Sequence, residues 1–158
     1  MANLKKALTD YQFGLSVTLF TSYWYLQHFD LESLDKSVDW FNFMSYDLHG
    51  TWDMGNKWIG AYLDAYTNLT EIKTALDLLW RNDIKPSKVN MGMAFYGRSV
   101  TLASPLCTEP DCLYLLAGDK RACSNTAGVL FNNEIQQIIR NNNIIPTLYK
   151  DAAVKTFT

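Results

Sequence analysis

Apolar positions fall into two rhythms along this chain, and the boundaries between them divide it. Gly14 to Phe20, with Leu15, Val17, Leu19 and Phe20 apolar, predicts a buried strand. Val38 to Ser45 predicts a second, preceded by a helical turn over Leu31 to Ser37. The rhythm then changes: Leu69, Ile72, Leu76 and Leu79 share one face of a helix over Leu69 to Arg81. Asn68 stands at the N-cap position, and Glu71 three residues later completes a capping-box-like pair. Pro86 introduces a further strand, Val89 to Phe95. Strand, helical crossover and strand is the βαβ repeat of a parallel sheet, so an α/β fold is expected.

Other segments are less regular. Leu4 to Gln12 reads as a short helix and Tyr23, Trp24 and Tyr25 as a loop cluster. Gly50 to Tyr66 is a long loop carrying Trp52, Trp58, Tyr62 and Tyr66, and loops of that length in a compact domain are often functional. Beyond Arg98 come a strand over Val100 to Leu102, a cysteine loop and a helix from Asn132 to Asn141. An antiparallel pair over Ile144 to Tyr149 and Ala152 to Phe157 closes the chain. There is no internal repeat or low-complexity segment.

Composition narrows the partners. The net charge of −2 gives no electrostatic case for nucleic acid. No apolar run approaches the roughly 18 residues of a membrane span. Met1 to Leu8 has a charged start but no apolar core segment or cleavage site, so it reads as the tail of a helix and not as a signal peptide. Cys107 and Cys112, flanked by Pro105 and Pro110, suit a local bridge. Cys123 then remains a free thiol or the partner of a group elsewhere, and three reduced thiols are the alternative. Clustered loop cysteines lean towards an oxidising, extracellular setting. Asn68-Leu69-Thr70 is also a glycosylation sequon, which competes with the capping role of Asn68. No His, Cys, Asp or Glu set has zinc or calcium spacing, and no cofactor is called for.

The densest chemistry lies where the second strand ends. Trp40 to Met44 runs directly into Ser45-Tyr46-Asp47-Leu48-His49-Gly50-Thr51-Trp52-Asp53. A parallel α/β barrel presents reactive side chains at strand ends of this kind. Carboxylate and phenol hydrogen-bond hydroxyls and amides, while an indole face packs on a pyranose ring. The bland alternative is a buried strand and turn, with the Asp capping the loop and the Trp in the core.

Phe43 to Asp47 with His49 to Asp53 resembles the sixth barrel strand of glycoside hydrolase family 18, the chitinases. Ser22 to Leu26 followed by Phe29 and Asp30 resembles the segment after the fifth strand, and Asn90 to Ser99 the seventh strand and its exit. The insert with Cys107, Cys112 and Cys123 is similar to a fungal, killer-toxin-like subgroup. The resemblance runs from about Gly14 to the C-terminus. It implies a partial (β/α)8 TIM barrel over residues 1–97, holding the fifth to seventh strands. An α+β insertion domain over 98–158 follows, since a complete barrel needs roughly 250 residues.

The resemblance further implies hydrolysis of β-1,4-linked N-acetylglucosamine polymers with retention, in which the substrate's own acetamide attacks the anomeric carbon. Tyr46 then hydrogen-bonds the acetamide, Asp47 holds the polar network around the reacting sugar, and Met44 lines the floor or packs in the core. Trp52 is a stacking platform on the leaving-group side or a core residue. Tyr96 and Arg98 project into the cleft, Arg98 towards sugar hydroxyls, towards Asp47 or into a salt bridge with the insertion. His49 reads as a turn residue. The family's D-x-x-D-x-D-x-E signature, whose last Glu is the general acid, occurs nowhere in the 158 residues. The expectation is therefore a secreted chitinase part that is inactive by itself. The alternative is a non-catalytic chitin-binding or chitin-sequestering protein.

Overall fold

A computed structural model describes residues 1–158, which divide into two compact units. The first comprises Met1–Tyr46 and Thr70–Met93, and the second Asp47–Leu69 and Ala94–Thr158. Residues 47–69 thus group with the C-terminal part of the chain and not with the strands on either side of them.

In the first unit, α1 (Ala2–Thr9) precedes β1 (Ser16–Phe20), the short α2 (Tyr23–Leu26) and α3 (Leu31–Asp35). Then come β2 (Trp40–Met44), α4 (Leu69–Trp80) and β3 (Val89–Met91). The sheet order is β1-β2-β3, with both pairs parallel and Leu19 opposite Phe43. Parallel pairing demands a covered face, and alternation supplies it. Leu19, Phe41 and Phe43 are fully buried against Leu79, with Leu26, Leu31, Val38 and Ala75 around them. On α4, Ala75 and Leu79 belong to this core and Leu76 packs against it. The other sheet face mixes Phe20, Trp40 and Met44 with a polar row, in which Asn90 donates to Asn42 at 3.4 Å and Asn42 to Ser16 Oγ at 3.2 Å.

Two elements differ from the sequence expectation. Tyr23 to Tyr25 is helical and not loop, because the Ser22 side chain accepts the Trp24 N–H at 3.2 Å and caps the turn. The strand expected over Val89 to Phe95 ends at Met91. Gly92 donates its N–H to the Phe43 carbonyl at 2.7 Å and accepts the Ser45 hydroxyl at 2.6 Å, and the parallel ladder stops there.

The second unit holds a 3-10 turn (Thr51–Gly55), β4 (Tyr96–Arg98), β5 (Val100–Leu102), β6 (Tyr114–Ala117) and β7 (Val129–Phe131). α5 (Asn132–Asn141), β8 (Thr147–Tyr149) and β9 (Val154–Thr156) complete it. All its pairs are antiparallel: β4 with β7, β5 with β6, β8 with β9. Cys107 and Cys112 form a disulfide, with Cα atoms 5.7 Å apart, and Cys123 is an exposed thiol.

Two devices join these pieces. Ser99, Gly118 and Gly128 form a closed ring of backbone bonds: Ser99 N–H to Gly128 O at 3.0 Å, Gly128 N–H to Gly118 O at 2.8 Å, and Gly118 N–H to Ser99 O at 2.9 Å. Gly128 has a φ of +75°, a left-handed conformation that glycine adopts without strain. Second, the buried carboxylate of Glu134 accepts the N–H groups of Cys123, Ser124 and Phe131. Burial works against its charge, but those donors prevail and hold the carboxyl below its ordinary value.

Candidate functional site

Asp47, Trp52, Tyr96 and Arg98 converge within the second unit. Tyr96 and Arg98 lie two residues apart on β4 and so share a face. Arg98 donates from Nε at 3.0 Å and from Nη2 at 2.7 Å, both to Asp47 Oδ1. The Tyr96 phenol also hydrogen-bonds the Asp47 carboxylate. The guanidinium lies over two rings, 4.9 Å from the Trp52 centroid and 5.3 Å from that of Tyr96. Of the three partners weighed for Arg98 from sequence, the structure pairs it with Asp47.

Local backbone chemistry sets each of these groups. Asp47 has a φ of +57°, a region Asp tolerates better than most residues. The next N–H, of Leu48, is taken by the Tyr66 carbonyl at 3.0 Å. Gly50 is fixed on both sides: its N–H donates to Asp53 Oδ2 at 3.0 Å and its carbonyl accepts the Tyr114 hydroxyl at 2.9 Å. Atoms of the Trp52 ring occupy the place where a Cβ on Gly50 would sit, so the absence of a side chain lets the indole lie against the turn. Asp53 is buried, and His49 Nδ1 stands 3.5 Å from its Oδ2, which makes His49 part of the turn's internal support.

Two aromatic groups in this cluster carry shifted ionisation. Burial, then the hydrogen bond to Asp47 and its charge, push the Tyr96 phenol up to about 12, with Arg98 opposing. Burial and the Asp47 charge likewise raise the Tyr66 phenol, again against Arg98. Both are therefore neutral donors at physiological pH. The arrangement can hold a polar ligand between a fixed carboxylate, a phenol and a half-exposed indole.

Met44 and Tyr46 belong to the first unit. Met44 ends β2 half-buried, and its carbonyl accepts the Thr21 hydroxyl at 2.9 Å. The Tyr46 ring packs on the bare backbone of Gly92, where an added Cβ would stand 2.8 Å from Tyr46 Cε1. No group of three or more His, Cys, Asp or Glu side chains is placed to hold a metal ion.

Sequence reasoning passed over Tyr66, Asp53 and Tyr114. The Tyr66 ring stacks on Tyr96 with centroids 5.6 Å apart, and its hydroxyl donates to the Tyr96 carbonyl. Its only signal in the sequence is an aromatic residue at the end of a long loop. Asp53 is visible as an acid three residues after a glycine, a capping spacing. Tyr114 gives no local signal at all.

Comparison with known proteins gives a consistent answer. The profile of the family described as Glycosyl hydrolases family 18 matches residues 1–157. The Secreted chitinase LysM12 of Penicillium expansum is 35% identical over 150 residues, covering 88% of this chain and 10% of that protein. The Killer toxin subunits alpha/beta of Kluyveromyces lactis are 35% identical over 125 residues, covering 78% of this chain and 11% of that protein. The chain thus spans about a tenth of the length of these relatives. Among solved structures, the Group IV chitinase of Ostrinia furnacalis superposes with a TM-score of 0.78 at 22% identity, over 97% of this chain and 44% of that one. A GH18 chitinase from Cycas revoluta, crystallised in complex with (GlcNAc)3, gives 0.78 at 19% identity, over 95% and 44%. At these identities the two structures speak to the fold alone.

Proposed function

The chain belongs to glycosyl hydrolases family 18, and we propose that it supplies the substrate-holding part of a chitinase cleft. In this reading β1, β2 and β3 are the fifth to seventh strands of a (β/α)8 barrel, and residues 98–158 are an α+β insertion beside the cleft. The ligand is a β-1,4-linked N-acetylglucosamine oligomer or chitin itself, met outside the cell. The name of one relative, a secreted chitinase, supports that substrate class and setting.

The observation that carries the reading is the set of donors that Arg98 and Tyr96 direct at Asp47. A carboxylate that accepts two N–H bonds from Arg98 and one O–H bond from Tyr96 is held in place as an acceptor. Substrate-assisted cleavage needs such a group. The acetamide oxygen attacks the anomeric carbon, and the protein orients the acetamide and stabilises the charge that develops. Tyr46 donates to the acetamide, Asp47 holds the network around it, Met44 floors the reacting sugar, and Trp52 stacks on the leaving-group side. Protonation of the glycosidic oxygen requires a separate acid, and the 158 residues contain no D-x-x-D-x-D-x-E strand to provide it.

The same observation favours a second reading, a chitin-binding protein without turnover, since every group named here serves binding. Calorimetry of the 158-residue chain with soluble chitin oligomers tests the element common to both. Saturable binding that weakens on Trp52→Ala supports the cleft, and no heat with any oligomer overturns it. Turnover then separates the two readings.

A further inference from the structure

We infer that Tyr66 is the positioning residue of this site: it ties the Asp47 turn to the Tyr96–Arg98 strand and so sets where the carboxylate meets its donors. The inference deepens the chitin-oligomer reading and rests on it for the ligand, but its geometry stands independently. Tyr66 holds the site at three points. Its backbone carbonyl accepts the N–H of Leu48, the residue directly after Asp47, at 3.0 Å. Its hydroxyl donates to the carbonyl of Tyr96. Its ring lies 5.6 Å from the Tyr96 ring at an interplanar angle of 28°.

These contacts join segments that sequence separates widely. Asp47 is in a left-handed turn, which has no ladder partner to hold it in place, and the Leu48 bond is the first restraint after it. Tyr96 and Arg98 are on β4, paired to β7 through Tyr96–Phe131 and Arg98–Val129. Arg98 reaches Asp47 with N–H bonds whose strength falls steeply with distance and angle. A loss of alignment between turn and strand therefore weakens both Arg98 bonds and the Tyr96 bond together. Tyr66 is half-buried, and its phenol stays protonated over the working range because burial and the Asp47 charge both oppose ionisation. The charged and titratable groups facing it are Asp47, Arg98 and Tyr96. It is thus a permanent donor to the Tyr96 carbonyl.

The test uses two variants of the 158-residue chain. Tyr66→Phe keeps the stacked ring and removes the donor, and Tyr66→Leu removes both; the backbone bond to Leu48 is available in each. The readout is solvent exchange of the Arg98 Nε–H proton by NMR, its resonance identified by its loss in Arg98→Lys. A role in packing alone lowers the melting temperature and leaves that proton as protected as in the parent. Positioning predicts exchange faster by about tenfold in Tyr66→Leu, with Tyr66→Phe between it and the parent, as expected for loosening of one charge-assisted bond. Affinity for N-acetylglucosamine oligomers should fall in the same order. Unchanged Nε–H exchange in folded Tyr66→Leu overturns the inference. Should that variant not fold, Tyr66→Phe decides by the same measurement. If the parent chain binds no oligomer, the exchange experiment still decides the role of Tyr66, and the failure falls on the proposed function instead.

Discussion

Both donors that Arg98 sends to Asp47 end on one oxygen, Oδ1, at 3.0 and 2.7 Å. This is a convergent contact and not the parallel two-oxygen fork that arginine commonly makes with a carboxylate. The guanidinium at the same time lies over the rings of both Trp52 and Tyr96. Arg98 thus orders three groups of the site at once, so the pair is worth more as an organiser than as an ion pair. The two side chains are 26% and 34% exposed, which limits the electrostatic gain.

Arg98→Lys keeps the charge and loses both the two-donor contact on Oδ1 and the planar group over the rings. We expect it to cost stability by no more than about 1 kcal/mol in urea denaturation. Binding of chitin oligomers should fall much more, by at least tenfold. Parent-like affinity in Arg98→Lys would show that the positive charge alone suffices.

Gly50→Ala is a test of Trp52 made without touching it. The Gly50 backbone is extended, at φ 177°, so alanine fits the chain itself. The added methyl instead meets the indole and moves it off the turn. Oligomer affinity should drop by about 1–3 kcal/mol, matching Trp52→Ala, and the double variant should lose little beyond either single change. Additive losses would mean that Gly50 and Trp52 act separately.

The 158-residue chain should not hydrolyse a fluorogenic chitobioside above a heat-treated control. General acid catalysis contributes about 10²–10⁴-fold, and Asp47 is already committed as an acceptor. Turnover that survives purification and vanishes in Asp47→Asn would show that Asp47 itself delivers the proton.

Glu134 predicts how the second unit responds to acid. Its carboxyl is held below the ordinary 4.5 in the folded chain, so its contribution is fully present above the unfolded value. That contribution disappears as pH falls through the lowered folded value. Glu134→Gln should therefore melt below the parent at pH 7, with the gap closing below about pH 4. A gap that stays constant down to pH 3 would remove the carboxylate's charge from the explanation.

Much of the first unit is legible in the sequence because burial imposes it. Leu19, Phe41 and Phe43 stand in short, largely apolar runs of strand length, and Ile72 and Leu79 recur at helical spacing. The second unit is harder to read. β6 and β7 are four and three residues long, too short for a period to emerge, and are held by pairing with distant segments. The site divides in the same way. Asp47, Trp52, Tyr96 and Arg98 stand in motifs dense with chemistry. Tyr66 works largely through a backbone carbonyl and a stacked ring, and Tyr114 through a hydroxyl on the Gly50 carbonyl, contacts that no local pattern announces.

The ring of Ser99, Gly118 and Gly128 bears on how this protein can change over time. Each member gives one backbone bond and takes one, so the closure asks nothing of side chains beyond the room two glycines leave. Insertions or deletions between β5 and β6, over residues 103–113, or between 119 and 127, can alter what hangs from the ring without touching its members. Arg98 is one residue outside it. These loops can therefore be lengthened, shortened or recombined while Arg98 keeps its place, which makes this region a natural ground for variation.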